Sequence, residues 1–147
     1  MRLLSLPTLQ RLSGGNDMSQ FDGITKYIPQ LENGELFATI IREETRPGVI
    51  SLPVIEYTPL AKEIINTFYA ITKSREDYSV DNLLALYDHS SFAENVITEV
   101  NVSELDEKSV LALLAAVMHM ERWDNGTLNT FYTSGKLLEC LIRLNYF

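Results

Sequence analysis

Ser103-Glu104-Leu105-Asp106-Glu107-Lys108-Ser109-Val110-Leu111-Ala112-Leu113-Leu114-Ala115-Ala116-Val117-Met118-His119-Met120-Glu121-Arg122-Trp123 is the stretch that decides the fold. From Val110 to Met118 it has nine apolar residues in a row. A run of that length falls well short of the roughly 18 residues that span a bilayer. A helix apolar on every side belongs in the middle of a core. Ser103-Glu104-Leu105-Asp106 has the pattern of a capping box, with Asp where Glu or Gln is usual. The longest helix is therefore expected from Ser103 to about Arg122, closed by a turn at Asp124-Asn125-Gly126.

Toward the C-terminus, a short helix through Thr133 is expected to end at Ser134-Gly135, where glycine can take the left-handed conformation. Lys136 to about Asn145 then forms the last helix, with Leu137, Leu138, Leu141 and Leu144 facing the core and Cys140 among them. Toward the N-terminus, Thr58-Pro59 is a hydroxyl cap followed by proline at the first helical position. Leu60, Ile64, Phe68 and Ile71 continue from it as an apolar stripe, widened by Ile65 and Tyr69. Lys73 to Asp77 is a polar linker, and Ser79 can cap a helix carrying Val80, Leu83, Leu84 and Tyr87. Phe92, Val96, Ile97 and Val100 suggest another helical stretch. Phe21, Ile24, Ile28 and Leu31 mark one short helix that Asn33-Gly34 ends. Between these helices, Glu35 to Arg42 and Val49 to Tyr57 are rich in β-branched and aromatic residues. They flank Thr45-Arg46-Pro47-Gly48, so a β-hairpin is expected near residues 35–57, with Pro53 confined to an edge or an irregular segment. The reading is a mainly α single domain of five or six helices over residues 18–147, with that hairpin. Residues 1–17 lack helical periodicity and precede a fresh Met18-Ser19-Gln20-Phe21 start; they read as an extension outside the fold.

Composition bounds the function. The 147 residues carry 46% hydrophobic side chains, enough for one core, and a net charge of −8. Arg2, Arg11 and Asp17 leave residues 1–17 at +1, so the remainder carries −9. That sign repels phosphate backbones, which argues against direct nucleic-acid binding. The single cysteine cannot form an internal disulfide, in keeping with a reducing compartment such as the cytoplasm or with indifference to redox. No Cys or His pair stands at zinc-ligand spacing, and Asp77, Asp81 and Asp88 lack the glycine and terminal Glu of a calcium loop. No Gly-x-Ser-x-Gly elbow or phosphate loop is present. Cofactor, metal and membrane are thus not expected, and most enzyme chemistries lose their support.

Two features remain as sites. From Glu76 to Glu107 there are nine acidic residues and no Lys or Arg. Its Glu94, Glu99, Glu104, Asp106 and Glu107 form a candidate acidic surface, either simply solvated or facing a basic protein partner. The second is the group His119, Arg122 and Trp123, with Arg143 on the last helix, as a candidate binding site. His89, after Asp88, reads as a solvated helix end. Trp123 is expected to anchor the turn, with Arg122 reaching carbonyls or a carboxylate on the final helix. On that reading Trp123→Ala costs about 3–5 kcal/mol.

Leu113 to Trp123, Gly126-x-Leu128, Phe131-x-x-Ser134-Gly135 and Leu141-Ile142-Arg143-Leu144 together resemble the core signature of a domain-of-unknown-function family of small bacterial and phage proteins. The resemblance extends upstream through Tyr27-Ile28-Pro29, Pro53 to Tyr57 and Phe68-Tyr69, covering about Phe21 to Phe147. The chain departs from the family at His119, where Arg is frequent, and at Ile142-Arg143, where an Arg pair is usual. The resemblance implies a fold and assigns no activity. The expectation is a non-catalytic cytoplasmic interaction or regulatory protein of bacterial or phage accessory-gene type. Two alternatives are an acidic mimic of nucleic acid that blocks a DNA- or RNA-binding protein, and a small-molecule binder or enzyme around His119, Arg122 and Trp123.

Overall fold

All nine residues from Val110 to Met118 are buried in the computed structural model, which describes residues 20–42, 44–50 and 53–147. They form the middle of helix α5 (Glu107–Glu121), which is enclosed on every side. Around it the chain runs α1 (Asp22–Thr25), α2 (Ile28–Glu32), β1 (Ala38–Ile41), β2 (Glu44–Arg46), β3 (Val49–Ile50), β4 (Val54–Tyr57), α3 (Pro59–Thr72) and α4 (Val80–Asp88). After α5 come α6 (Thr127–Thr133) and α7 (Lys136–Leu144). Helices α4, α6 and α7 pack directly on α5. Each fully buried leucine or valine contributes about 1.5–3 kcal/mol, so this continuous run is a large part of the hydrophobic stabilisation. The fold is mainly α with one hairpin, as the periodicity predicts. Among the described residues no helix is long and apolar enough to cross a membrane. The reading of residues 1–17 as an extension lies outside the described residues.

The hairpin pairs β1 with β4 in antiparallel register, Ala38 opposite Tyr57 and Ile41 opposite Val54, and β2 with β3 nearer the tip. Gly48, at φ 79°, supplies the left-handed residue of the tip. The hairpin base is seated on α6: Phe37 stacks on Tyr132 at 4.3 Å, and the Tyr132 hydroxyl donates to the Glu35 carbonyl at 3.1 Å. Thr58 caps α3, accepting from the Ala61 N–H at 3.5 Å while donating to the Leu36 carbonyl at 2.9 Å. Ser79 caps α4 by accepting from the Asn82 N–H at 3.2 Å. The His89 ring lies at the exposed C-terminal end of α4, 2.8 Å from the Ala85 carbonyl.

Three expectations need correction. The first helix is broken in two, because Pro29 has no N–H to continue the ladder and opens α2 instead. Residues 91–104 form three separate 3-10 turns, Ser91–Glu94, Ile97–Glu99 and Val102–Glu104, rather than an α-helix. Their β-branched run of Val96-Ile97-Thr98 and Val100 has low helix propensity, and no side chain caps a start there. Finally, α5 begins at Glu107 rather than Ser103. Asp106 is itself the cap, its Oδ1 accepting from the Ser109 N–H at 2.8 Å, while the Ser103 hydroxyl donates to Asn101. The Ser109 amide and hydroxyl hold the Asp106 carboxyl below the usual aspartate range.

These two serine and aspartate positions give a direct test in urea denaturation. Asp106→Ala should lose about 1 kcal/mol, the usual worth of a cap, whereas Ser103→Ala should stay within about 0.5 kcal/mol. The reverse order would restore the cap to Ser103.

Candidate functional site

Helix α6 is entered at Gly126, a residue with no side chain to cap it and a φ of 103°. Its first N–H groups are nonetheless satisfied, because Glu121, the last residue of α5, turns its carboxylate onto them. Glu121 accepts from the Gly126 N–H at 3.0–3.1 Å and from the Leu128 N–H at 2.9 Å. The Tyr57 hydroxyl donates to Glu121 Oε1 at 2.6 Å and itself accepts from the Asn129 N–H at 3.1 Å. Burial, and next the bond to Glu121, push the Tyr57 phenol well above its ordinary range. Asn125 completes the knot. Its Nδ2 donates to Glu121 Oε2 at 3.2 Å and to the Ile55 carbonyl at 3.2 Å, while its Oδ1 accepts from the Ile55 N–H at 2.6 Å. The turn therefore clamps strand β4 to the junction of α5 and α6. Gly126 also lies so close to β4 that an added Cβ would sit 3.0 Å from Ile55 Cγ1.

Beside this junction lies an open groove of about 760 Å³. One wall is the hairpin, with Ile40, Arg42, Pro53 and Ile55; the other is the end of α5 and start of α6, from His119 to Thr130; Ile97 closes one side. Of the candidate residues, His119 and Trp123 line this groove. Arg122 does not: it lies in a separate cleft of about 390 Å³ with Ile65, Tyr69, Met118 and Glu121. Arg143 is elsewhere again, its Nε donating to the Leu105 carbonyl at 2.8 Å and its guanidinium lying 5.1 Å from the Phe147 ring. The proposed triplet is thus divided between two faces of the α5 end.

Two expected roles are corrected here. Trp123 is 83% exposed, so it does not anchor the turn. The anchoring belongs to Glu121, Tyr57 and Asn125. Nor does Arg122 hold the final helix, for its side chain is exposed and bonds to no described residue, whereas Arg143 reaches from α7 to the approach of α5. Glu121 could have been found from sequence. Gly126-Thr127-Leu128 opens a helix without a capping side chain, and a carboxylate five residues earlier can bend back to it.

The acidic stretch is divided as well. Asp77 pairs with Arg75 at 2.7 Å and Lys108 at 3.2 Å, so the two cations that bound the stretch meet on one of its own carboxylates. Asp106 caps α5, and Glu107 accepts from Gln20 at 2.7 Å. Glu94, Glu99 and Glu104 are exposed, each the last residue of one of the three successive 3-10 turns. Among the described residues no group of His, Cys, Asp or Glu could hold a metal. The His119 ring makes no hydrogen bond to a described residue.

Residues 17–147 match the model of a family of unknown function, DUF6508. The chain belongs to this family. No curated protein and no solved structure matches it. The DUF6508 match takes in every described element, from α1 to α7, and so both the Glu121 junction and the groove beside it.

The division of roles predicts opposite outcomes for neighbouring residues. Glu121→Gln replaces an acceptor by a donor against the α6 amides and should cost about 1.5–3 kcal/mol in denaturation. Trp123→Ala should change stability by less than about 0.5 kcal/mol, as for an exposed side chain.

A pH scan checks Tyr57. Its raised folded-state pKa means that the neutral phenol favours the fold. The contribution is therefore present below about pH 10 and lost as pH rises beyond it. Buried Tyr78, Tyr87 and Cys140 are shifted in the same direction. Tyr57→Phe should make the alkaline decline in thermal midpoint shallower, and an unchanged slope would remove Tyr57 from the junction's pH dependence.

Proposed function

We propose that the protein is a non-catalytic interaction module that binds a protein partner through the groove between the hairpin and the α5–α6 junction. One observation carries this reading. The only tryptophan in the sequence is 83% exposed on one wall of the groove. Ile40, 61% exposed, lines the facing wall. Large apolar side chains clustered in an open groove mark a surface that another molecule covers, and tryptophan is the residue most enriched among binding hot spots. The walls are held by the Glu121 knot rather than by Trp123, so the indole has no part in the packing and is available to a partner. The enzyme alternative has less support, since the His119 ring bonds to no described hydroxyl or carboxylate and Arg122 faces another cleft. The nucleic-acid mimic has less support too, because Asp77, Asp106 and Glu107 are already engaged within the chain. Cytoplasmic location goes with this reading, as the buried Cys140 thiol needs no oxidising compartment.

The test begins with a partner recovered by affinity purification from the native host, purified and titrated calorimetrically. Trp123→Ala should weaken its binding by at least about 30-fold, the equivalent of a 2 kcal/mol hot spot, with the fold intact. Arg122→Ala, on the other cleft, should leave affinity within about threefold. A partner that binds both variants as it binds the parent would move the interface away from the groove.

A further inference from the structure

The two edges of the hairpin are finished differently. The Thr58 N–H bonds the Phe37 carbonyl at 3.0 Å across the strands, and the register carries that alternation through Thr39 opposite Glu56 and Ile41 opposite Val54. The intervening residues, Ile40 on β1 and Ile55 on β4, therefore turn their backbone N–H and carbonyl groups away from each other. On the β4 side those groups are closed, because the Asn125 side chain takes both the N–H and the carbonyl of Ile55, as a third strand would. On the β1 side nothing described bonds the N–H or carbonyl of Ile40. An unpaired edge of this kind is a template for another extended chain. The side chain of the same residue lines the groove.

Charge narrows what that chain is. Ile97, on the rim of the groove, lies within the acidic stretch, in a 3-10 turn that packs on α6. Its neighbours Glu94 and Glu99 are exposed and form no ion pair with a described residue. Asp124 lines the opposite wall, and Arg42 is the single described Lys or Arg side chain among the lining residues. The cations that bound the stretch, Arg75 and Lys108, are both held at Asp77. A second copy of this chain would bring another net charge of −8 to the same place, and like-charge juxtaposition disfavours that pairing.

We infer that the groove and the free edge of β1 together receive an extended, basic segment of a partner protein. It would add to β1 as a third strand, set alternate apolar side chains beside Ile40 and toward Trp123, and carry Lys or Arg toward Glu94, Glu99 and Asp124. A helical segment would leave the Ile40 amide and carbonyl without partners. This inference rests on the groove being a protein interface, and it adds the backbone conformation and the charge of what binds there.

The experiment is a random-peptide display selection on the full chain, counter-selected on Trp123→Ala, with the recovered peptides synthesised and titrated calorimetrically. Trp123-dependent peptides should be enriched in Lys and Arg and should lose about tenfold or more in affinity between low and high salt. N-methylation walked along a peptide should weaken binding at every second amide, because only alternate N–H groups of an added strand face β1. Ile40→Pro removes the outward N–H on the protein side, and the methylation walk reads the same contact on the unaltered protein. Trp123-dependent peptides that are neutral or acidic, or that show no alternation, would overturn this inference while the groove stays an interface. A selection yielding no Trp123-dependent peptide would overturn both readings. Self-association of the chain that Trp123→Ala abolishes would replace the basic partner by a second copy.

Discussion

A single carboxylate, that of Glu121, joins the three parts of this molecule. It ends α5, where the helix dipole disfavours an anion by about 0.3–1 kcal/mol. That cost is outweighed by its acceptance of the Gly126 and Leu128 amides, the Tyr57 hydroxyl and the Asn125 amide. Hydrogen bonds to a charged group contribute about 1.5–3 kcal/mol each, and here they also meet the favourable N-terminal dipole of α6. Without this group α6 would start at a glycine with bare amides, and Asn125 would lose one of its partners. The hairpin would then keep its seat on Tyr132 and the Asn125 bonds to Ile55, but lose the tie between Tyr57 and the end of α5. The buried run of α5 lies at the centre of the core, but it does not determine where the hairpin sits. The Glu121 junction does.

Elements specified by local chemistry were legible in the sequence. The apolar run of α5, the Thr58-Pro59 start of α3, the Ser79 cap of α4 and the Gly135 turn before α7 each depend on residues a few positions apart. The hairpin was legible from its β-branched flanks and its Pro47-Gly48 tip. Errors arose where a local pattern admitted two answers. Phe21, Ile24, Ile28 and Leu31 do fall on one face, yet Pro29 breaks the ladder between them. Ser103 and Asp106 could both cap α5, and the aspartate, being nearer the apolar run and ionised, prevails.

The candidate site was less legible, because its geometry depends on contacts distant in sequence. Tyr57 meets Glu121 across 64 positions, and no periodicity points to that pairing. The sequence reading has Trp123 anchor the turn after α5, and its exposed position contradicts this. Three residues in a row at the end of a helix point in different directions. Glu121 accordingly turns inward to the knot, Arg122 to one cleft and Trp123 to another. The acidic stretch is plain in the sequence, but folding engages several of its carboxylates locally. Those at the ends of the 3-10 turns are left exposed.

The position of Trp123 also has an optical consequence. It is the chain's only indole, and it stands in water in the native state. Its emission is already red-shifted and open to soluble quenchers before any unfolding takes place. Melting the core changes that environment little, so indole fluorescence is nearly blind to the folding transition of this protein. Changes in that signal report instead on the surroundings of one wall of the groove.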